Sequence, residues 1–182
     1  MRTYLAATLP VCTLGQTPPF SLEGFLAQCA EVLTLNDRQE VESIVLNRLS
    51  ECRTDFGRAW SSLKMQMDEE IAILRAQKWQ ISAPPSKMYS GYSLEVRRLV
   101  HEAFDRETPL QVEWTLDQGR WNLGQGLIPP DRPLGLERIL SFALQLRIMH
   151  RWAAMDADTG DERLTSLLED SVSKALAERE YE

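Results

Sequence analysis

The amino-acid sequence predicts an all-α fold, a bundle of about seven helices in two packed halves, and three observations carry that expectation. Apolar residues recur at intervals of three and four along most of the chain, so each segment gains one continuous apolar face when wound into a helix. Serine, threonine and asparagine, whose side chains accept from the unpaired amides of a first helical turn, stand directly before these segments. No run alternates apolar and polar residues as a half-buried strand requires.

The first element is short: Tyr4, Leu5, Ala6, Ala7 and Leu9 are followed by breaks at Pro10 and Pro18-Pro19, with Gly15 between them. Ser21 caps a helix to Leu33, on which Leu22, Phe25, Leu26 and Cys29 share a face. Asn36 and Gln39 then form a capping-box pattern ahead of a helix carrying Val41, Ile44, Val45 and Leu49 and ending near Cys52. From Thr54 to about Gln80 no proline intervenes, and Phe56, Trp60, Leu63, Met67, Leu74 and Ile81 form a heptad-like stripe with Glu70 and Gln77 in its gaps. Such a helix is roughly 40 Å long at 1.5 Å per residue, more than a small domain spans, so it is expected to pack on another chain or on a late helix.

The stretch 82–92, with Pro84-Pro85, Ser86, Ser90 and Gly91, is the clearest linker and divides the chain into an N-terminal and a C-terminal half. Ser93 caps a helix from Leu94 to about Asp105 with Val96, Leu99, Val100 and Ala103 on one face. Thr108 and Pro109 start the next, because proline at the first helical position lacks an N–H that would have no partner there anyway. Gly119, Gly124 and Gly126 each weaken its later turns by up to about 1 kcal/mol relative to alanine and are expected to bend or shorten it. After Pro129-Pro130 and Pro133, the segment Leu134 to Met155 is apolar on more than one face and is therefore central or shared with a partner. A loop over 156–160 leads to a last helix with Leu164, Leu167, Leu168, Val172 and Leu176, and then to a charged tail.

Composition narrows the function classes. A chain of 182 residues that is 43% hydrophobic and carries five tryptophans can bury a core, and residues 1–182 are expected to form one helical domain. The net charge of -7 repels phosphate backbones and anionic headgroups, so nucleic acid is not an expected partner. Cys12, Cys29 and Cys52 are odd in number and include no close pair, which points to buried free thiols. Thr8, Pro10 and Thr13 interrupt the run after Arg2, which argues against a secretory signal, and no stretch approaches the roughly 20 apolar residues that span a bilayer. The expected location is cytoplasmic, peripheral to a membrane only through a partner.

Groups that could carry chemistry are few. His101 and Asp105 lie one helical turn apart, but both are expected to be solvated. His150 has no carboxylate three residues before it, and neither a zinc-peptidase motif nor a phosphate-binding glycine loop occurs. Asp68, Glu69 and Glu70 point about 100° apart on a helix and are expected on a solvated face. No enzyme, cofactor or metal site is expected. Arg147 and Arg151 share a helix face, where they serve either as ion-pair partners or as a docking patch for an acidic protein.

Two stretches carry a resemblance. YLAATLP followed by PPFSLEGFLAQC resembles the opening of a bacterial family of uncharacterised proteins encoded with the subunits of V/A-type rotary ATPases. EWTLDQGRWNLGQGL leading into LERILSFALQLRIMHRWAAMDADTG looks like a helical segment of the C/d subunit, the cap of the central stalk. The resemblance implies packing and docking roles for Tyr4, Leu9 and Pro10 in the opening motif, and for Trp121, Leu146, Arg151, Trp152, Asp156 and Gly160 in the second stretch. C/d subunits are much longer, so an accessory, assembly or structural role beside the ATPase follows rather than the whole cap. The candidate partner-binding residues are Tyr4, Leu9, Pro10, Trp121, Arg147, Arg151 and Trp152, with V/A-type ATPase subunits as the implied partner. The alternative is a self-associating helical adaptor, motivated by the stripe from Phe56 to Ile81.

Overall fold

A computed structural model describes residues 1–83, 85, 91–155 and 166. Among them are seven α-helices, one 3-10 turn over Leu49–Glu51 and no strand: α1 Arg2–Thr8, α2 Leu22–Val32, α3 Leu35–Val45, α4 Asp55–Trp79, α5 Leu94–Phe104, α6 Pro109–Gly126 and α7 Leu136–Ala153. The fold is all-α, as the periodicity predicts. The linker positions 84 and 86–90, the last helix expected over Leu164 to Leu176, and Asp156 and Gly160 lie outside the described residues.

Most starts follow from the caps. Ser21, Thr54 and Ser93 each accept from the amide three residues on, and Thr108 forms a full capping box with Gln111. The start of α3 differs from the sequence expectation: Thr34, not Asn36, accepts from the Asp37 amide at 3.3 Å. That choice leaves only Leu33 and Thr34 between α2 and α3 and places the Asp37 charge in the first turn, where the helix dipole favours it. The helix also ends earlier than expected, at Val45, because Asn47 adopts a left-handed conformation (φ 57°) and the Arg48 amide reaches back to Ser43 at 2.8 Å. Asparagine is among the few residues other than glycine that visit this region readily.

The glycines of α6 do not end it early. A Cβ on Gly119 would lie 2.1 Å from Leu99 of α5, and one on Gly124 2.5 Å from Leu144 of α7. These positions are notches through which α5 and α7 approach the α6 backbone, and the helix runs unbroken for 18 residues.

The helix α7 is the centre of the core. Leu136, Ile139, Leu140, Phe142, Ala143, Leu144, Leu146, Ile148 and Met149 are all buried, against α1, α2, α3, α4 and α6. Burial of each large side chain is worth about 1.5–3 kcal/mol. Phe142 lies 5.2 Å from the ring of Phe25 and 6.1 Å from that of Phe20. His150 donates from Nε2 to the Phe20 carbonyl at 2.7 Å, a bond in which the oxygen can only accept.

One apolar cluster draws from both sides of the 82–92 stretch. The stripe on α4 is spent largely inside the chain: Phe56, Trp60 and Met67 are buried, Leu63 and Leu74 pack on the core, and only Ile81 is exposed. The side chain of Gln66 clamps the start of α5 to α4, donating to the Ser93 carbonyl at 2.7 Å and accepting from its amide at 2.8 Å. Tyr92 donates to Glu70 beside it. Glu69 and Glu70 are buried, a correction to the solvated face expected of them, Glu70 because it lies under the entry to α5 beside Tyr92; Asp68 alone of the three is partly exposed. Glu40 is another buried carboxylate and accepts from the Arg53 amide and the Thr54 hydroxyl, joining α3 to the first turn of α4.

Candidate functional site

A buried acid organises the end of the bundle where α6 meets α7. Leu110, Trp114, Asp117, Trp121 and Gly124 follow one another at spacings of four, three, four and three, so Asp117 stands in an otherwise apolar stripe. The residue is 1% exposed. Its Oδ1 accepts from Arg120 at 2.6 Å, and its Oδ2 accepts from both Arg151 and the indole N–H of Trp152, each at 2.9 Å. Charge-assisted bonds of this kind offset the cost of burying the carboxylate. Arg151 also donates to Glu113 at 2.6 Å, and Arg75 of α4 reaches the same carboxylate at 3.9 Å.

The aromatic side of the site is held by the same residues. Trp152 meets Trp114 edge to face with ring centroids 4.9 Å apart, a favoured geometry for two indoles. Gly15 lies over the outer edge of Trp114; its φ of +84° and the 3.0 Å that would separate a Cβ from the ring both suit a residue without a side chain. Beside the pair opens a cleft of about 870 Å³ lined by Leu110, Gln111, Trp114, Gln118 and Trp152, with Arg106 at its edge. Leu110 is largely exposed there.

Arg147 sits one turn before Arg151 and differs from the other two arginines. Its guanidinium donates at 3.1 Å to Asn47, a neutral acceptor, and forms no ion pair within 4 Å among the described residues. Burial lowers its pKa most, the charge of Arg120 lowers it further and that of Arg151 least, while Asp117 opposes them.

The structure brings Arg151 and Trp152 together on Asp117, with Arg147 within reach of their charges and Trp121 buried one turn along α6. Tyr4 is exposed on α1, Leu9 is buried and Pro10 half-buried; none of the three takes part in the hydrogen bonds around Asp117. Asp117, Glu113, Trp114 and Arg120 are the residues that sequence reasoning missed. An acid at the centre of a tryptophan-rich apolar stripe is the signal that could have found Asp117.

Elsewhere, His101 and Asp105 are both exposed, and no group of three or more His, Cys, Asp or Glu is placed to hold a metal among the described residues. Cys29 and Cys52 are buried and Cys12 half-buried, all three free, and burial pushes each thiol up to about 11. No described helix is long and apolar enough to cross a membrane.

No curated protein and no solved structure matches the chain. Over residues 90–173, a span that contains α5, α6 and α7 and so the whole of the Asp117 network except Arg75, the chain is similar to a family described as a protein of unknown function (DUF2764).

Proposed function

We propose that the protein is a non-enzymatic helical accessory, assembly or structural subunit of a V/A-type rotary ATPase, and that the α6–α7 end of the bundle is its docking face. The observation that carries this reading is the resemblance of the segment from Glu113 to Gly160 to the C/d subunit, in which Arg151 and Trp152 are shared positions. Those two side chains are the ones that Asp117 fixes in place beside an open aromatic cleft. A tryptophan and an arginine held rigid by a buried acid lose little freedom when a partner arrives, and these residue types dominate binding energy at protein interfaces. The mechanism is mechanical: the face buries surface against a partner helix, while proton movement and nucleotide hydrolysis belong to the ATPase. The protein would meet the membrane only through that complex.

Affinity purification of the tagged chain from native cells, with the recovered proteins identified by mass spectrometry, tests the proposal. Recovery of rotary ATPase subunits is the expected result, and their absence from a stable complex sinks it. Self-association is the second possibility, but most of the α4 stripe that motivated it is covered by the chain's own core.

A further inference from the structure

Three guanidinium groups gather where α6 meets α7, and among the described residues only two carboxylates, Asp117 and Glu113, pair with them, the second of which also faces Arg75. Arg120 and Arg151 share Asp117, Arg151 also holds Glu113, and among the described residues Arg147 is left with the side-chain oxygen of Asn47. A guanidinium carries five N–H donors, and among the described residues that of Arg147 uses one of them, in an exposed hydrogen bond. On the neighbouring loop, Glu42 and Glu51 are already paired with Arg48. The chain as a whole is acidic, so a local excess of positive charge stands out against a net of -7. Like charges placed together repel, and a negative group arriving from outside relieves that repulsion as well as gaining its own attraction. We propose that Arg147, flanked by Arg120 and Arg151, is the receptor for an acidic side chain of a partner protein, taking its carboxylate through the open edge of the guanidinium fork.

The occupant is assigned as a protein carboxylate because Arg147 is only half-buried and its bond to Asn47 is exposed, so that a protruding Asp or Glu reaches the guanidinium from outside. Bidentate contact with a planar guanidinium suits that group. The inference deepens the docking function proposed above and rests on the α6–α7 end being the docking face.

Fluorescence anisotropy of a fluorescein-labelled hexaglutamate peptide with the full-length chain tests it. The expected result is binding that weakens as salt is raised and that falls about tenfold in Arg147→Gln, with Arg147→Lys in between because it keeps the charge but not the fork. Equal binding by wild type and Arg147→Gln, both folded by circular dichroism, overturns the inference, as does no binding by wild type. Inorganic phosphate that displaces the peptide at far lower concentration than acetate also overturns it, in favour of a phosphate site. Peptide binding without any recovered ATPase subunit leaves the arginine receptor standing and removes only the ATPase, whereas recovered ATPase without peptide binding does the reverse.

Discussion

Removing the carboxylate of Asp117 strands Arg120, Arg151 and the indole N–H of Trp152, which share it as acceptor. Breaking a buried ion pair from one side costs more than the pair contributes, since the remaining charge stays buried, so Asp117→Ala should lose about 3 kcal/mol. Urea unfolding followed by circular dichroism measures this, and a loss under about 1 kcal/mol contradicts the role given to Asp117. Arg147 is the converse case. Its glutamine variant gives up one hydrogen bond to Asn47 and removes a charge that Arg120 and Arg151 oppose, so its midpoint should match or exceed that of wild type. The thiols supply a pH dependence. Their folded pKa of about 11 lies above the ordinary 9.0, so the folded state keeps its thiol protons longer than the unfolded chain does. The stability they contribute is complete below pH 9 and is lost as pH rises from 9 to about 11. Alkylation of the folded protein at pH 8 should run about 100-fold slower than that of a free thiol, because two pKa units remove two decades of thiolate; labelling at the free-thiol rate contradicts the burial.

Along single elements, the glycines of α6 separate backbone propensity from packing. Gly119→Ala raises helix propensity, yet its methyl group would meet Leu99, so a loss of about 1–3 kcal/mol is expected. Pairing it with Leu99→Ala should recover part of that loss in a double-mutant cycle. At Gly126 an added methyl group would have nothing within 4 Å, and alanine there should be neutral or stabilising by up to about 1 kcal/mol. A thermal scan that ranks the two substitutions the other way refutes the notch. This contrast also shows how far the sequence was legible. Helix positions came through because a 3.6-residue apolar period and a capping hydroxyl are local signals, as at Ser21, Ser93 and Thr108. The end of α3 did not, since Asn47 reaches a left-handed conformation that periodicity does not encode. The role of Gly119 depends on Leu99, twenty residues away on another helix, and no window on α6 contains it.

At the scale of the molecule, the core joins α7 to α1, α2, α3 and α4 across the 82–92 stretch. The two halves should therefore unfold together, with tryptophan fluorescence and circular dichroism giving coincident transitions; two separated transitions would show that the halves are independent. Of the candidate site, Arg151 and Trp152 were visible in the sequence as an Arg-Trp pair closing an apolar helix, while their shared partner Asp117 emerged only when α6 was packed against α7. The proposed function requires that this end of the bundle, and no other face, docks a subunit of a rotary ATPase. Photo-crosslinking in native cells decides it, with the crosslinker placed at Gln118, exposed beside the tryptophan cleft, or at Gln28, exposed on α2. An adduct to a rotary ATPase subunit is expected from Gln118 and none from Gln28. Equal labelling from both positions, or no ATPase adduct from Gln118, would contradict the docking face.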